Sequence, residues 1–142
     1  MQWDDTKYAG FSEVEPWLKV NENKSFINVA ESQKDADSIL NFYKKLIKVR
    51  KEEALVKDGV YKDLLPKSQK LFAYERRGDK EILLVLANFT DKEIECRMIN
   101  KYRDYDAVVL LNNYDSISTR LKPYQSVLYK LTKKANCINK ID

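Results

Sequence analysis

The feature that most constrains this chain is a run of six consecutive apolar residues, Ile82–Ala87. Charged residues precede the run, and the turn-forming residues Asn88, Thr90 and Asp91 follow it. A short apolar run that contains β-branched side chains and is bounded by turn signals predicts a strand that is buried on both faces. A buried helix is the alternative, but six residues are few for a helix. We therefore expect Glu81–Phe89 to be the central strand of the core.

Alternating apolar and polar residues on both sides of this run predict further short strands joined by tight turns. Strands at this spacing are typical of an antiparallel sandwich or barrel. The predicted fold class is mainly β: an antiparallel β sandwich preceded by an irregular arm and one amphipathic α-helix. The predicted flanking strands are Val60–Leu64, Leu71–Arg76, Ile94–Ile99, Ala107–Leu111 and Ser126–Leu131.

The clearest helix is predicted for Asp35–Ala54. Its apolar side chains recur at helical spacing on one face, and lysines occupy the other face. Asp35 or Asp37 is expected to cap the first turn. Burial of such an apolar side chain is worth roughly 1.5–3 kcal/mol, so we expect this face to be covered. Its residues are Ile39, Phe42, Tyr43, Leu46 and Ile47.

The segment Met1–Val29 has no sustained period, and its aromatic residues are scattered among polar ones. Such a segment cannot bury its aromatic side chains on itself. Two interpretations are open: an irregular arm packed on this domain, or a loop whose packing partner is missing.

The composition excludes several classes of protein. The 26 basic and 22 acidic residues are interspersed and leave a net charge of +4, which is typical of a solvated surface. We therefore expect no nucleic-acid partner, although a basic barrel that binds single-stranded nucleic acid is retained as a minor hypothesis. No apolar run reaches ~18 residues, so no membrane partner is expected. The polar residues after Met1 exclude a secretory signal. Together with Cys96 and Cys137, which are expected to be reduced thiols, they predict a cytoplasmic protein.

The residues offer little catalytic chemistry. The chain has no histidine, the commonest general base and metal ligand. Neither a Gly-rich phosphate loop nor a G-x-S-x-G motif is present. A glycosidase needs two facing carboxylates ~5–9.5 Å apart, and nothing places Asp4-Asp5 or Glu52-Glu53 in that way. We expect no catalytic residue, no metal and no cofactor.

Several motifs, in order, resemble one enzyme group. They are MQWDDTKYAGF and PWLKVN near the start, FYKKLIKVRKE and DGVYKDL in the middle, and LFAYERRGDKEILLVLANFT and LKPYQSVLYKL later. Together they resemble the oligo-1,6-glucosidase and α-glucosidase group of glycoside hydrolase family 13, over Met1–Leu131. Gln125 and Ser126 depart from this pattern, since Glu and Ala are expected there.

The resemblance implies a (β/α)8 barrel, an inserted domain and a C-terminal antiparallel β sandwich. The family's retaining mechanism uses an Asp nucleophile, a Glu general acid and a second Asp, and all three precede the segment that resembles MQWDD. Asp4 and Asp5 are therefore not those carboxylates. By resemblance, residues 1–54 are the last βα loop and last helix of the barrel, residues 55–132 are the sandwich, and residues 133–142 are a polar tail.

The implied function is that of a C-terminal, non-catalytic fragment of an α-glucosidase that hydrolyses terminal α-glucosidic bonds of oligosaccharides. Its sandwich would stabilise the missing catalytic barrel, which is the expected partner; an oligosaccharide would bind only in the full enzyme. Gln2, Trp3 and Asp4 would lie at the rim of the sugar pocket. Residues upstream of Met1 would decide between isomaltooligosaccharides, dextran, sucrose and trehalose 6-phosphate.

Two further expectations concern the isolated chain. Its exposed helix face should make it a homo-oligomer through Ile39, Phe42, Tyr43, Leu46 and Ile47. The alternative function is a stand-alone carbohydrate-binding β-sandwich module, suggested by four tyrosines whose rings could stack on sugars. These are Tyr102, Tyr105, Tyr114 and Tyr124.

Overall fold

The computed structural model describes residues 1–135, and the apolar run lies at the middle of its larger sheet. That sheet is antiparallel, with the strand order β1-β2-β3-β7-β5, and β4 pairs with β6 in a two-stranded sheet. The strands are β1 (Val60–Asp63), β2 (Leu71–Arg77), β3 (Glu81–Asn88), β4 (Ile94–Glu95), β5 (Tyr105–Asn112), β6 (Arg120–Leu121) and β7 (Ser126–Lys133).

The core lies on one face of the larger sheet, which we call the inner face. Because side chains alternate between the faces of a strand, β3 and β7 place every second residue there. Their register pairs Ile82 with Leu131, Leu84 with Tyr129, and Leu86 with Val127. Cys96 and Leu121 from the smaller sheet's side complete this cluster. The predicted mainly-β antiparallel sandwich is therefore confirmed, with a second layer of only two strands.

The opposite, outer face of the sheet is also partly covered. Leu83 lies on it, paired with Lys130 of β7, and is only 2% exposed. Val85, two residues further along β3, is half-buried. The central strand is thus buried on both sides near Leu83, as its continuous apolar sequence predicts.

Two buried side-chain amides, of Asn88 and Gln125, donate hydrogen bonds to the loops at one end of the sandwich. Asn88 is 3% exposed, and its side-chain nitrogen donates to the carbonyl oxygens of Lys92 (2.7 Å) and Lys122 (2.8 Å). Gln125 is 1% exposed, and its nitrogen donates to the side-chain oxygen of Asn112 (2.9 Å) and to the carbonyl of Ser116 (3.0 Å). The Gln in place of the expected Glu is explained by these two acceptors, which need a donor.

The helices are α1 (Val29–Lys34), α2 (Ile39–Glu52) and α3 (Leu55–Asp58). The predicted helix is therefore present as α2, but its predicted cap is wrong. The Ser38 hydroxyl accepts from the Asn41 amide (3.2 Å), whereas the Asp35 carboxylate accepts from the Asp37 amide (2.9 Å) in the turn before. The short Ser38 side chain lies directly before the helix, which is the usual N-cap position.

The arm before α1 is irregular apart from one 3-10 turn at Glu22–Ser25. Helix α1 itself lies outside the predicted helix. Asn28 caps it, because its side-chain oxygen accepts from the Glu31 amide (2.8 Å). Asn28 followed three residues later by Glu31 resembles a capping box, which is the sequence signal for this helix.

The strand predicted for Ile94–Ile99 is wrong beyond Glu95. After the Cys96 amide donates to the Thr119 carbonyl (2.7 Å), the chain turns into a 3-10 helix, Met98–Tyr102, whose first two residues lie in the predicted strand. Met98 and Tyr102 pack against the core from this helix. The alternating pattern therefore reflects side chains that reach the core from a turn of helix.

The chain divides into two units, Met1–Lys48 and a second that begins at Val49. The boundary falls within α2. Within residues 1–135, none of the helices is long and apolar enough to cross a bilayer. Cys137 and residues 136–142 of the predicted polar tail lie outside the described part of the chain.

Candidate functional site

The first unit holds Asp4, one of the three predicted pocket-rim residues, in a closed turn. The Asp4 carboxylate accepts from the Thr6 amide (3.0 Å) and the Thr6 hydroxyl (2.6 Å), and that hydroxyl accepts from the Gly10 amide (3.0 Å). Gly10 has φ +68°, and a Cβ there would lie 2.5 Å from an Asp4 carboxylate oxygen. Only glycine fits that position, because it tolerates positive φ and leaves room for the carboxylate.

The electrostatics of this turn keep Asp4 ionised. The hydrogen bonds from the Thr6 hydroxyl and then from the Thr6 amide lower the pKa of Asp4, and Lys24 lowers it further. Lys24 also donates to the carbonyl oxygens of Asp5 (2.7 Å) and Thr6 (2.8 Å). Asp4 therefore stabilises its own loop and is not suited to donate a proton.

Gln2 and Trp3 are fixed by their backbone. Their carbonyl oxygens accept from the amides of Val29 (3.0 Å) and Ala30 (2.9 Å) at the start of α1. The Gln2 side-chain nitrogen donates to the Asn23 side-chain oxygen (3.2 Å) and to the Ile27 carbonyl. Within the described residues, the buried side-chain oxygen of Gln2 has no hydrogen-bond partner. The loop thus encloses one acceptor that none of the described residues uses.

A groove of about 350 Å³ lies beside Gln2. Trp17 lines it and is 92% exposed. Trp3 and Asp4 are not among its lining residues, so the structure separates the predicted rim residues. The lining is apolar apart from the side chains of Gln2, Lys19 and Asn21, and it includes no carboxylate. The full set is Met1, Gln2, Phe11, Pro16, Trp17, Leu18, Lys19, Val20 and Asn21.

The sequence pattern did not single out Trp17 or Phe11 as site residues. Both stand in motifs that carry the family resemblance, and that is the available signal. The groove offers apolar surface, two amide groups and the Lys19 ammonium, which can bind a ligand. Its lining has no carboxylate that could act as the nucleophile or the general acid of a glycosidase.

A second cluster lies on the inner face of the sandwich. Glu75 is 3% exposed, and Arg77 donates to its two oxygens (3.1 and 3.0 Å). The Tyr102 hydroxyl donates to the same carboxylate (2.6 Å), and Arg77 also donates to the Tyr105 hydroxyl (3.3 Å). The hydroxyls of Tyr102 and Tyr105 are thus hydrogen-bonded to side chains of β2, which does not favour these tyrosines as a sugar-stacking surface.

The environment of Glu75 favours its charged form. Burial raises the pKa of its carboxyl, but the hydrogen bonds from Arg77 and Tyr102 outweigh burial and hold the pKa below its ordinary value. Burial and the bond to Glu75 raise the pKa of Tyr102. A glycosidase acid needs a raised carboxyl pKa, so Glu75 is not suited to be a general acid, and its carboxylate is occupied by the hydrogen bonds from Arg77 and Tyr102.

The described residues also offer little else of catalytic use. Residues 1–135 contain no group of three or more His, Cys, Asp or Glu side chains that could hold a metal ion. Within the described residues the Cys96 thiol has no disulfide partner, and it is buried; burial raises its pKa, which disfavours the reactive thiolate.

Comparisons with known proteins give this geometry a context. A family model described as "Alpha amylase, catalytic domain" matches residues 1–59. Probable oligo-1,6-glucosidase 2 of Bacillus subtilis (strain 168) is 42% identical over 137 residues, which are 94% of this chain and 24% of that protein. The trehalose-6-phosphate hydrolase of the same organism is 34% identical over 139 residues, covering 94% of this chain and 25% of the relative.

Solved structures agree in fold as well as sequence. The crystal structure of Bacillus licheniformis trehalose-6-phosphate hydrolase superposes with a TM-score of 0.82 at 40% identity, over 93% of this chain and 25% of that chain. The isomaltulose synthase of Klebsiella sp. LX3 gives a TM-score of 0.79 at 30% identity, over 92% of this chain and 24% of that one. The chain thus spans about a quarter of the length of the proteins that it matches.

Proposed function

Because this chain belongs to glycoside hydrolase family 13 and corresponds to the C-terminal part of its oligo-1,6-glucosidase-like members, we propose that it is the non-catalytic end of an α-glucosidase. The whole enzyme hydrolyses terminal α-glucosidic bonds of oligosaccharides. The observation that carries the proposal is the similarity along nearly the whole chain to enzymes about four times its length. The roles of Asp4 and Glu75 support it, since both carboxylates are occupied by local donors.

The stand-alone carbohydrate-binding module is not favoured. The similarity to oligo-1,6-glucosidases runs over 94% of the chain, and so includes the arm and helices before the sheet. Those segments belong to a stretch that matches a catalytic-domain family. A separate binding module would need no such segment.

We propose the following division of the chain. Residues 1–54 form the last βα loop and last helix of the barrel, residues 55–132 form the sandwich that stabilises the barrel, and residues 133–142 form a tail. The family match that ends at residue 59, directly before β1, supports a boundary in this region. The rest of the barrel is then the partner of residues 1–54 and of the sandwich.

The pocket-rim assignment also remains a proposal. Gln2, Trp3 and Asp4 contribute differently: Gln2 lines the groove, Trp3 offers a half-exposed ring, and Asp4 shapes the loop. The side-chain oxygen of Gln2 is buried and has no partner among the described residues, and packing of the barrel against this loop would bring a donor to it. The names of the two Bacillus subtilis relatives, an oligo-1,6-glucosidase and a trehalose-6-phosphate hydrolase, suggest oligosaccharides and trehalose 6-phosphate as candidate substrate classes of the whole enzyme.

A fusion protein tests the function. The part of B. subtilis probable oligo-1,6-glucosidase 2 that precedes its similarity to this chain is joined to Met1, and hydrolysis of p-nitrophenyl α-glucoside and isomaltose is measured. We expect turnover by the fusion and none by the isolated chain, because the catalytic carboxylates are supplied only by the added part.

The intact relative serves as the positive control. Turnover by the isolated chain above the blank would refute its non-catalytic role. A folded fusion without activity towards isomaltose, p-nitrophenyl α-glucoside and trehalose 6-phosphate would refute its place in an α-glucosidase.

Two further parts of the proposal concern assembly and location. The isolated chain self-associates through the apolar face of α2, of which Ile39 is 79% and Tyr43 57% exposed. The protein works in the cytoplasm, in carbohydrate metabolism. The thiol of Cys96, which has no disulfide partner among residues 1–135, supports the location, because disulfides are rare in reducing compartments.

A further inference from the structure

Four aromatic side chains follow one another on the outer face of the larger sheet, and we call them the aromatic row. Their ring centroids lie 5.4 Å apart from Tyr61 to Tyr74, 5.3 Å from Tyr74 to Phe72, and 6.2 Å from Phe72 to Phe89. Three rings are well exposed: Tyr61 by 50%, Phe72 by 38% and Phe89 by 65%. A contiguous exposed apolar strip of this kind marks an interaction surface.

The same face already carries the segment that leads into β1. Helix α3 contacts both β2 and β3. A Cβ on Gly78, in the turn between those strands, would lie 2.7 Å from the Leu55 side chain of α3. The Gly59 carbonyl, directly after α3, accepts from the Arg76 guanidinium (3.2 Å). Arg76 is paired with Tyr61, so this segment adjoins the aromatic row.

A partly buried ion pair holds the same segment further along the outer face. Lys130 of β7 lies 2.9 Å from the Glu53 carboxylate and 3.3 Å from Glu81. Glu53 follows α2 directly, where a carboxylate is disfavoured by the helix dipole. Its side chain is only 17% exposed. A charge placed there against the dipole indicates that its role is the bond to the sheet.

The identity of this segment points to the partner. Glu53, α3 and Gly59 all belong to residues 1–59, the stretch that matches the catalytic-domain family. The last residues of a catalytic domain therefore lie on the outer face, next to three exposed rings of the aromatic row. From this continuity we infer that the aromatic row is the surface on which the rest of the parent glucosidase's catalytic domain packs. The inference rests on the proposed function, from which it takes its partner.

Thiol labelling tests this inference in the fusion described above. Phe72→Cys reports on the row, and Ile117→Cys is the control, because Phe72 is 38% and Ile117 41% exposed. Both are made in a Cys137→Ser background, where the remaining Cys96 is 4% exposed. Maleimide labelling of each peptide is timed by mass spectrometry in the isolated chain and in the fusion. We expect the Phe72→Cys thiol to react at least ~10-fold more slowly in the fusion, and the control within ~2-fold of its rate in the isolated chain.

The outcomes separate the two claims. Equal labelling of Phe72→Cys in the isolated chain and in the fusion overturns the inference, whether or not the fusion hydrolyses substrate. Protection of that thiol in an inactive fusion supports the row as the docking surface and counts against the proposed activity. Protection in the isolated chain that disappears on dilution assigns the row to a second copy of this chain and also overturns the inference.

A second pair of variants guards against a misfolded Phe72→Cys protein. Phe89→Cys lies at the far end of the row, and Tyr124→Cys is its matched control, with exposures of 65% and 62%. Protection of Phe89→Cys alone in the fusion supports the inference, and equal rates for both thiols overturn it.

Discussion

Two Glu-x-Arg pairs in the sandwich have the same spacing and opposite environments. Glu75 and Arg77 pair at 3.0 Å with a carboxylate that is 4% exposed, whereas Glu95 and Arg97 pair at 2.6 Å with a carboxylate that is 50% exposed. An exposed pair contributes about 0–1 kcal/mol. Removal of one partner from a buried, hydrogen-bonded pair costs more, because the other groups lose their acceptor.

Glu75→Gln is expected to lower the free energy of unfolding by about 1–3 kcal/mol at pH 7. The amide would offer donors to Arg77 and Tyr102, which are themselves donors. The pKa of Glu75 is lowered in the folded chain, so its stabilisation is present above the unfolded pKa and is lost as pH falls through the folded pKa. The gap between wild type and variant should therefore shrink below about pH 4. Urea unfolding at pH 7 and pH 3 measures it.

Glu95→Gln is the matched control and should change stability by less than about 1 kcal/mol at either pH. An equal effect of the two substitutions would show that the buried cluster contributes no more than a surface ion pair. The sequence predicts neither outcome, because Glu75 and Glu95 have the same residue type and the same Arg two positions later. The burial of Glu75 and its hydrogen bond from Tyr102 separate the two pairs, and both arise only in the folded chain.

At the scale of elements, helix α2 has an apolar face that none of the described residues buries. It has no buried residue, and Leu46 and Ile47 are 40% and 48% exposed. Its periodicity predicted the helix and the composition of its faces correctly. The sequence also predicted that this face needs a covering surface, which the described residues do not bury. Association of an uncovered amphipathic helix lowers the free energy, because it removes apolar surface from water.

The double substitution Tyr43→Glu/Leu46→Glu is expected to make the isolated chain monomeric, weakening self-association at least ~10-fold. Two carboxylates in the apolar face would have to be desolvated on association. Sedimentation velocity over a range of concentrations measures the effect. Lys44→Glu, on the lysine-bearing face, changes the net charge by the same amount and should leave association unchanged. A wild-type chain that is monomeric at every concentration would contradict the prediction.

The strands show where sequence patterns succeed and where they fail. Strands β2, β3 and β7 were predicted within one or two residues of their ends, because each pairs along most of its length and buries alternate side chains on the inner face. In β3, Leu83 is buried on the outer face as well, in agreement with the continuous apolar run. The segment after Glu95 was predicted wrongly because Cys96 and Met98 reach the core from a turn. A period of two describes which side chains are buried, and it does not distinguish a strand from such a turn.

At the scale of the whole molecule, the two units differ in how much they bury. Among residues 1–135, Ala9 is the only buried apolar residue of the first unit; all other buried apolar side chains belong to the second. Backbone hydrogen bonds and the Asp4 turn hold the first unit's loop instead. Segments with few buried apolar contacts open at low free energy.

Amides of the first unit are therefore expected to exchange with deuterium at least ~100-fold faster than those of β3 and β7. Hydrogen exchange at pH 7, followed by mass spectrometry of peptides, measures this difference. In the fusion, the first unit should gain protection, since the proposed barrel partner is expected to cover it. Protection of Val29–Lys34 equal to that of Glu81–Asn88 in the isolated chain would contradict the prediction.

The candidate site was predictable only in part at this scale. The motifs that contain Gln2, Trp3 and Asp4 revealed the family, but no property of those residues showed that Asp4 caps a turn or that Gln2 lines a groove. These roles depend on Thr6, Gly10 and Asn23, which come together only in the folded loop.

The amide of Gln125 has a consequence for how such chains diverge. Its nitrogen is held between two oxygen acceptors, one of them on Asn112. A carboxylate at position 125 would meet oxygen on both sides unless Asn112 rotates to present its nitrogen and the loop at Ser116 shifts. Lineages with Glu at this position should therefore differ from this chain at those loop positions too, and a change at one without the other should be rare.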